Sequence, residues 1–255
     1  MVRTEAAGSR VSRLIRGVAR REGVADWRLL VDPPRSARAQ MARDAQLAEE
    51  ARPTVRWFTW DPPAVSLGLK QEPPAWLRAP AWRRSGLDRV VRPTGGGIAF
   101  HGSDVSVAVA VPRALGVPLD ALMGAVCGSA ARVCGQAGVT AHPVLQAPGA
   151  GRITYCLAEP SPYAVMAGGK KVAGFALRRL EASWLVQGSV LVRPLPERLM
   201  AALPAELVAE LRARAVSLTD AAGSPVAERD IVSRWRAAWA AWWDESVTAA
   251  LAERG

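Results

Sequence analysis

The sequence predicts a mixed α/β fold: a largely antiparallel sheet flanked by helices, with further helices toward the C-terminus. Three observations carry that expectation. Runs rich in β-branched and aromatic residues recur at short spacing and are separated by Pro- and Gly-containing turns, which suits strands that double back on one another. One amphipathic stretch, Pro118 to Gly138, interrupts them with helical spacing. From Pro196 onward strand signals stop and helical ones take over.

Taken in order, residues 1–24 carry many arginines and no hydrophobic period, and read as a mobile lead-in. The main domain spans 25–195, and 196–255 form a helical segment packed on it. Residues 27–32, WRLLVD, read as a strand, and Ser36 to Ala51 as a helix with Met41, Ala45 and Ala48 on one face. Thr54 to Trp60 and Ala64 to Gly68 read as a strand, a turn through Pro62-Pro63, and a second strand. Asp88 to Pro112 contains three strands, with a glycine triplet between the first two. In the helix from Pro118, Leu119, Leu122, Met123, Val126, Ala130 and Val133 recur every three or four residues. Cys127 and Cys134 share a face there and suit core packing. After a loop rich in Pro and Gly, Cys156 to Arg179 forms a strand-like run, and Ala182 to Val192 a strand pair or one long bent strand. Helices follow near Ala205 to Ala215 and Val226 to Leu251; Trp235, Trp239 and Trp242 fall at i, i+4 and i+7 of the second and suit packing on the body of the protein.

Composition narrows the classes of function. With 255 residues, half of them apolar, the chain can bury a substantial core. Three cysteines imply a reducing compartment rather than a disulfide framework, and with no signal-peptide core or membrane-length apolar run the expected location is the cytoplasm. Of 33 basic residues only Lys70, Lys170 and Lys171 are lysine, and the net charge of +10 favours acidic partners. No zinc-finger spacing or nucleic-acid motif accompanies that charge, so neither a metal nor nucleic acid is expected.

The candidate chemistry lies in two stretches. Thr94-Gly95-Gly96-Gly97 offers backbone N–H groups unobstructed by side chains, suited either to close approach of a ligand or to a tight hairpin. It matches neither a Walker loop nor the dinucleotide-binding spacing. His101 lies four residues beyond, placed to enter the same pocket or to cap the strand; His142, in a loop beside Pro143, has little to recommend it. In the second stretch, Cys156 precedes Lys171 by fifteen residues. A cysteine is a good nucleophile only as the thiolate, which a nearby cation favours. The two meet only if the chain doubles back, and Pro160-Ser161-Pro162 and Gly168-Gly169 offer turns where it can.

Together these stretches resemble the biotin/lipoate protein ligase and octanoyltransferase superfamily, from about Trp27 to the C-terminus. Residues 92–102, RPTGGGIAFHG, resemble its Arg-Arg-x-Thr/Ser-Gly-Gly-Gly-x-x-x-His loop. Residues 168–179, GGKKVAGFALRR, resemble its lysine strand, and 185–192, LVQGSVLV, the Leu-x-His-Gly-Ser-Leu-Leu strand that follows. Upstream, 40–47 and 55–68 are similar to its first helix motif and its Pro-Pro-Ala-x-Ser-x-Gly run. The cysteine stretch is most similar to cysteine-nucleophile octanoyltransferases. The resemblance implies that Cys156 takes an octanoyl group from octanoyl-acyl-carrier protein and passes it to a lysine of a lipoyl-domain protein, without a cofactor and as a monomer. It implies that Lys171 holds the acyl carbonyl and favours the thiolate, and that Arg92, Thr94, Gly95, Gly96, Gly97, His101, Gly174, Gln187 and Gly188 bind substrate. An ATP- and Mg-dependent lipoate ligase, and a non-catalytic binding module, are the alternatives. Departures from the pattern are Gln187 for histidine, Gly102 for an acid, Pro93 for the second arginine, Phe175 for a small residue, and Gln40 and Gln46 in the first helix motif.

Overall fold

A computed structural model of the chain describes residues 27–147 and 151–252; the lead-in expected over 1–24 lies outside them. Among the described residues the strands are β1 (Arg28–Val31), β2 (Thr54–Phe58), β3 (Ala64–Leu67), β4 (Asp88–Val91), β5 (Ala99–His101), β6 (Asp104–Pro112), β7 (His142–Val144), β8 (Ala164–Ala167), β9 (Lys170–Arg179) and β10 (Ser183–Leu191). Among the described residues the helices are α1 (Ala37–Glu49), α2 (Ala75–Arg78), α3 (Pro80–Arg84), α4 (Leu119–Gln136), α5 (Glu197–Met200), α6 (Ala205–Arg214), α7 (Leu218–Ala222) and α8 (Glu228–Ala252).

The mixed, largely antiparallel architecture is as the sequence predicts, but the strands divide between two sheets. Seven run in the order β1-β2-β6-β10-β9-β8-β7, with only β1 and β2 parallel. Three form a small sheet, β4-β3-β5. The turn through Pro62-Pro63 therefore does not fold β3 back onto β2; it carries the chain into the second sheet. Nor is the glycine triplet a hairpin. The strands on either side of it flank β3, one parallel and one antiparallel, so the triplet crosses over the end of β3.

Alternation along β6 explains which face does what. Val105, Val107, Val109 and Val111 point toward α4 and α8 and join Leu122, Val126 and Val133 in the main core. Asp104, Ser106 and Ala108 point the other way, and Ala108 packs with Met41 and Trp60. The tryptophan stripe of α8 packs inward as expected, except that its third member is Trp243. Trp235, Trp239 and Trp243 are all buried at four-residue spacing while Trp242 is half-buried, so the buried face drifts about 40° around the helix at each step. Cys127 and Cys134 are buried in the same core, and burial pushes both thiols up to about 12. Ala182 to Val192 contains one strand, not a pair. His142 stands exposed on the edge strand β7 rather than in a loop. The helices after Pro196 and the turn between α5 and α6 supply Leu199, Leu203, Leu207 and Leu211 to a second core beneath the small sheet. Among the described residues no helix is long and apolar enough to cross a membrane.

Candidate active site

Between the two sheets lies a mostly apolar cavity of about 230 Å³. Its walls include Met41, Phe58 and Trp60 on one side and Gly95, Gly96, Gly97, Ile153 and Cys156 on another. Of the residues expected at the site, Arg92, the glycine triplet, His101, Cys156, Gly174, Gln187 and Gly188 line this one cavity. Thr94 and Lys171 stand behind it and hold its walls in place.

Cys156 has no strand of its own. Its segment is pinned to the residue before β5, where Ile98 N–H donates to Thr154 O at 2.7 Å and Cys156 N–H to Ile98 O at 2.8 Å. Its sulfur faces β9 at Gly174, where an added Cβ would stand 2.7 Å from Sγ, so a larger residue there would collide with the thiol. Glycine at 188 serves Phe175 in the same way. The Phe175 ring, on the paired position of β9, occupies the space a side chain at 188 would need, which is how the sheet accommodates an aromatic residue where the superfamily pattern has a small one.

The turns foreseen at Pro160-Ser161-Pro162 and Gly168-Gly169 do return the chain, and Lys171 reaches the Cys156 loop. It meets two of the loop's carbonyls and a hydroxyl: Nζ donates to Cys156 O at 2.7 Å, Glu159 O at 2.5 Å and Ser161 Oγ at 2.8 Å. An ammonium has three N–H donors, and here all three are engaged, leaving none for an acyl carbonyl. Burial lowers the Lys171 pKa, while the charges of Cys156 and Glu159 act to raise it.

Arg92 is the second cation near the thiol. Nη2 donates to Gly95 O at 2.5 Å and Gly97 O at 2.7 Å, and Nη1 to Ser66 O at 3.1 Å and Ser66 Oγ at 3.3 Å. It thus ties the triplet to β3. Burial lowers its pKa and the charge of Cys156 opposes that shift. Among the described residues no carboxylate pairs with it.

Gln187 connects the loop to α1. Its Oε1 accepts from Thr94 Oγ1 at 2.8 Å and from Thr94 N–H, and its Nε2 donates to Asp44 Oδ2 at 2.6 Å. Asp44 also accepts from Arg56 Nη1 at 2.5 Å, while Gln40 accepts from Arg56 Nη2 and donates to Thr59 O at 2.8 Å. Burial raises the Asp44 pKa to about 6, outweighing the lowering by Arg56 and Gln187.

Sequence reasoning passed over Ser66, Asp44, Asp104 and Trp60. The clearest signal was in 104–112, DVSVAVAVP, where Asp104 and Ser106 break an apolar run at a spacing of two and so share one face of the strand. Asp104 supplies His101 with a carboxylate at 2.9 Å, from three positions on instead of from Gly102. Among the described residues no group of three His, Cys, Asp or Glu side chains is arranged to hold a metal ion.

Fold and cavity together define a domain of mixed α/β architecture with Cys156 in the wall of its pocket. The lipoyl protein ligase A/B catalytic domain matches residues 36–240, and the chain belongs to that family. Octanoyltransferase LipM of Symbiobacterium thermophilum is 34% identical over 221 residues, covering 79% of this chain and 80% of that one. The LipM protein of Kyrpidia tusciae is 34% identical over 228 residues, covering 80% and 82%. Among solved structures, lipoate-protein ligase A bound with ATP superposes with a TM-score of 0.65 at 20% identity, covering 89% of this chain and 94% of that one. At that identity the likeness establishes the fold.

Proposed function

We propose that the protein is an octanoyltransferase working through a covalent thioester on Cys156. The thiol displaces the carrier from octanoyl-acyl-carrier protein, and the ε-amine of a lysine on a lipoyl-domain protein then takes the octanoyl group. Two exchanges replace one difficult acyl transfer. The observation that carries this reading is that Cys156 opens onto an apolar cavity with two buried cations, Arg92 and Lys171, within electrostatic reach. An octanoyl tail lying along that wall gains on the order of 5 kcal/mol, at about 0.8 kcal/mol per buried methylene. The relatives named octanoyltransferase support the same activity.

Intact-mass measurement tests it. Incubation with octanoyl-acyl-carrier protein is expected to add one octanoyl group to the enzyme and none to Cys156→Ser. A Cys156→Ser protein that transfers at the full rate would sink the proposal. Pyrophosphate release from octanoate and ATP, without any carrier-linked donor, would point instead to the ligase chemistry of the structural neighbours. Rescue of a lipoylation-deficient strain would rule out a pure binding module.

A further inference from the structure

Ser66, His101 and Asp104 lie in or beside the wall of the same cavity and form a directed chain of hydrogen bonds that the transfer scheme above leaves unused. His101 Nδ1 is 2.9 Å from Asp104 Oδ2, and Nε2 is 2.8 Å from Ser66 Oγ. Burial alone would raise the Asp104 pKa, but His101, the Gly102 N–H and the Ser106 hydroxyl outweigh it and hold the group ionised. A carboxylate has no proton to give, so the hydrogen is on Nδ1, Nε2 offers its lone pair, and the Ser66 hydroxyl donates to it. Trp60 fixes the ring: it stacks on the imidazole with centroids 4.0 Å apart and planes at 18°, and its Nε1 donates to Ser106 Oγ at 2.8 Å.

The chain begins close to the nucleophile. Ser66 is the register partner of Ala99, and the next residue, Ile98, accepts the Cys156 N–H. Arg92 spans the same gap, with one nitrogen on Ser66 and the other on Gly97 O, and a Cβ on Gly97 would stand 3.0 Å from Cys156 N. What the second half of the transfer lacks is a base. A lysine side chain is an ammonium at neutral pH and attacks only after losing a proton. Lys171, already giving three hydrogen bonds, has no lone pair to take it.

We propose that Ser66, His101 and Asp104 are the relay that deprotonates the incoming amine. This rests on Cys156 being the acyl carrier. Ser66 Oγ takes one proton from the ammonium as its own hydroxyl proton passes to His101 Nε2, and Asp104 balances the resulting imidazolium. The freed nitrogen attacks the thioester carbonyl. The C–N bond forms, the C–S bond breaks, and the sulfur leaves with the electron pair and receives the second proton that the nitrogen sheds. The proton held on His101 returns through Ser66 to solvent.

The test starts from purified octanoyl-Cys156 enzyme and compares two nucleophiles, a lipoyl domain and hydroxylamine, which is uncharged at neutral pH and needs no base. In His101→Asn and Ser66→Ala the lipoyl-domain rate is expected to fall about a hundredfold or more while the hydroxylamine rate is largely kept. Ser66→Thr, which retains the hydroxyl, is expected to restore the lipoyl-domain rate. Equal losses with both nucleophiles, or no loss with either, would overturn the relay. Should His101→Asn not fold, Ser66→Ala, which removes a single oxygen, decides by the same ratio. Failure of the unsubstituted enzyme to form octanoyl-Cys156 would instead refute the transfer reading itself.

Discussion

Arg56 and Arg92 are both buried, yet their surroundings differ in kind. Arg56 on β2 is enclosed by carboxylates: Nε donates to Asp32 Oδ2 at 2.7 Å, Nη1 to Asp44 Oδ1 at 2.5 Å, and its guanidinium lies 4.0 Å from the Phe58 ring centroid. Arg92 is held by two backbone carbonyls of the triplet and by Ser66, so its hydrogen bonds are largely satisfied while its charge is left unbalanced. A buried cation without a counter-ion is unfavourable in the resting protein. Under the proposed transfer it suits a site where negative charge arises at the departing or attacking sulfur. The first arginine joins a helix to a sheet; the second keeps positive charge in readiness beside the thiol.

The largest expected effect comes from removing the neutralised member. Arg56→Met leaves Asp44 buried without its cation, and chemical denaturation is expected to show a loss of about 3–5 kcal/mol. Arg92→Met should cost less stability, about 1–3 kcal/mol from carbonyls left unpaired. Its Cys156 acylation, followed by mass, should slow roughly a hundredfold or more, as when one donor to a developing charge is removed. The contrast breaks if the Arg92 variant acylates normally or unfolds as readily as the Arg56 variant. Gln187→Leu tests the link between the two regions, since Gln187 joins Asp44 to Thr94. It is expected to cost about 1–3 kcal/mol, and to slow acylation less than Arg92→Met does. The smallest effect is a slope. Because the folded-state pKa of Asp44 is raised, its protonation adds stability at low pH, and that contribution is lost as pH rises through about 6. Asp44→Asn should therefore flatten the difference in unfolding free energy between about pH 4 and pH 6; an unchanged slope would mean that Asp44 keeps an ordinary pKa.

Most strands were legible because β-branched runs between Pro and Gly turns signal strands locally, but how strands divide between sheets depends on distant pairing. Nothing within 54–68 tells whether β3 returns to β2 or leaves it. The small helices α2, α3, α5 and α7, each four or five residues long, are too short to show a helical period. The strand β7 was hidden by Pro143, which reads as a breaker although an edge strand tolerates it. At the site, the spacing of Cys156, Lys171 and the triplet was enough to suggest that they converge. The contacts of each were not legible, because a fifteen-residue spacing does not tell whether Nζ meets the sulfur or the carbonyl behind it. Asp44 and Arg56 lie in two stretches that resemble the superfamily, but their pairing was not legible; a helix residue and a strand residue twelve positions apart met only through packing.

The three bonds of Lys171 have a geometrical consequence. An ammonium is tetrahedral, and its three N–H groups diverge like the legs of a tripod, each standing on a different residue of one loop: Cys156, Glu159 and Ser161. A guanidinium is flat, with its donors confined to a plane. Arginine at position 171 would keep the positive charge yet leave one of those oxygens dry, and the loop would settle at another height above β9. The shape of the cation, more than its charge, then fixes where the sulfur sits.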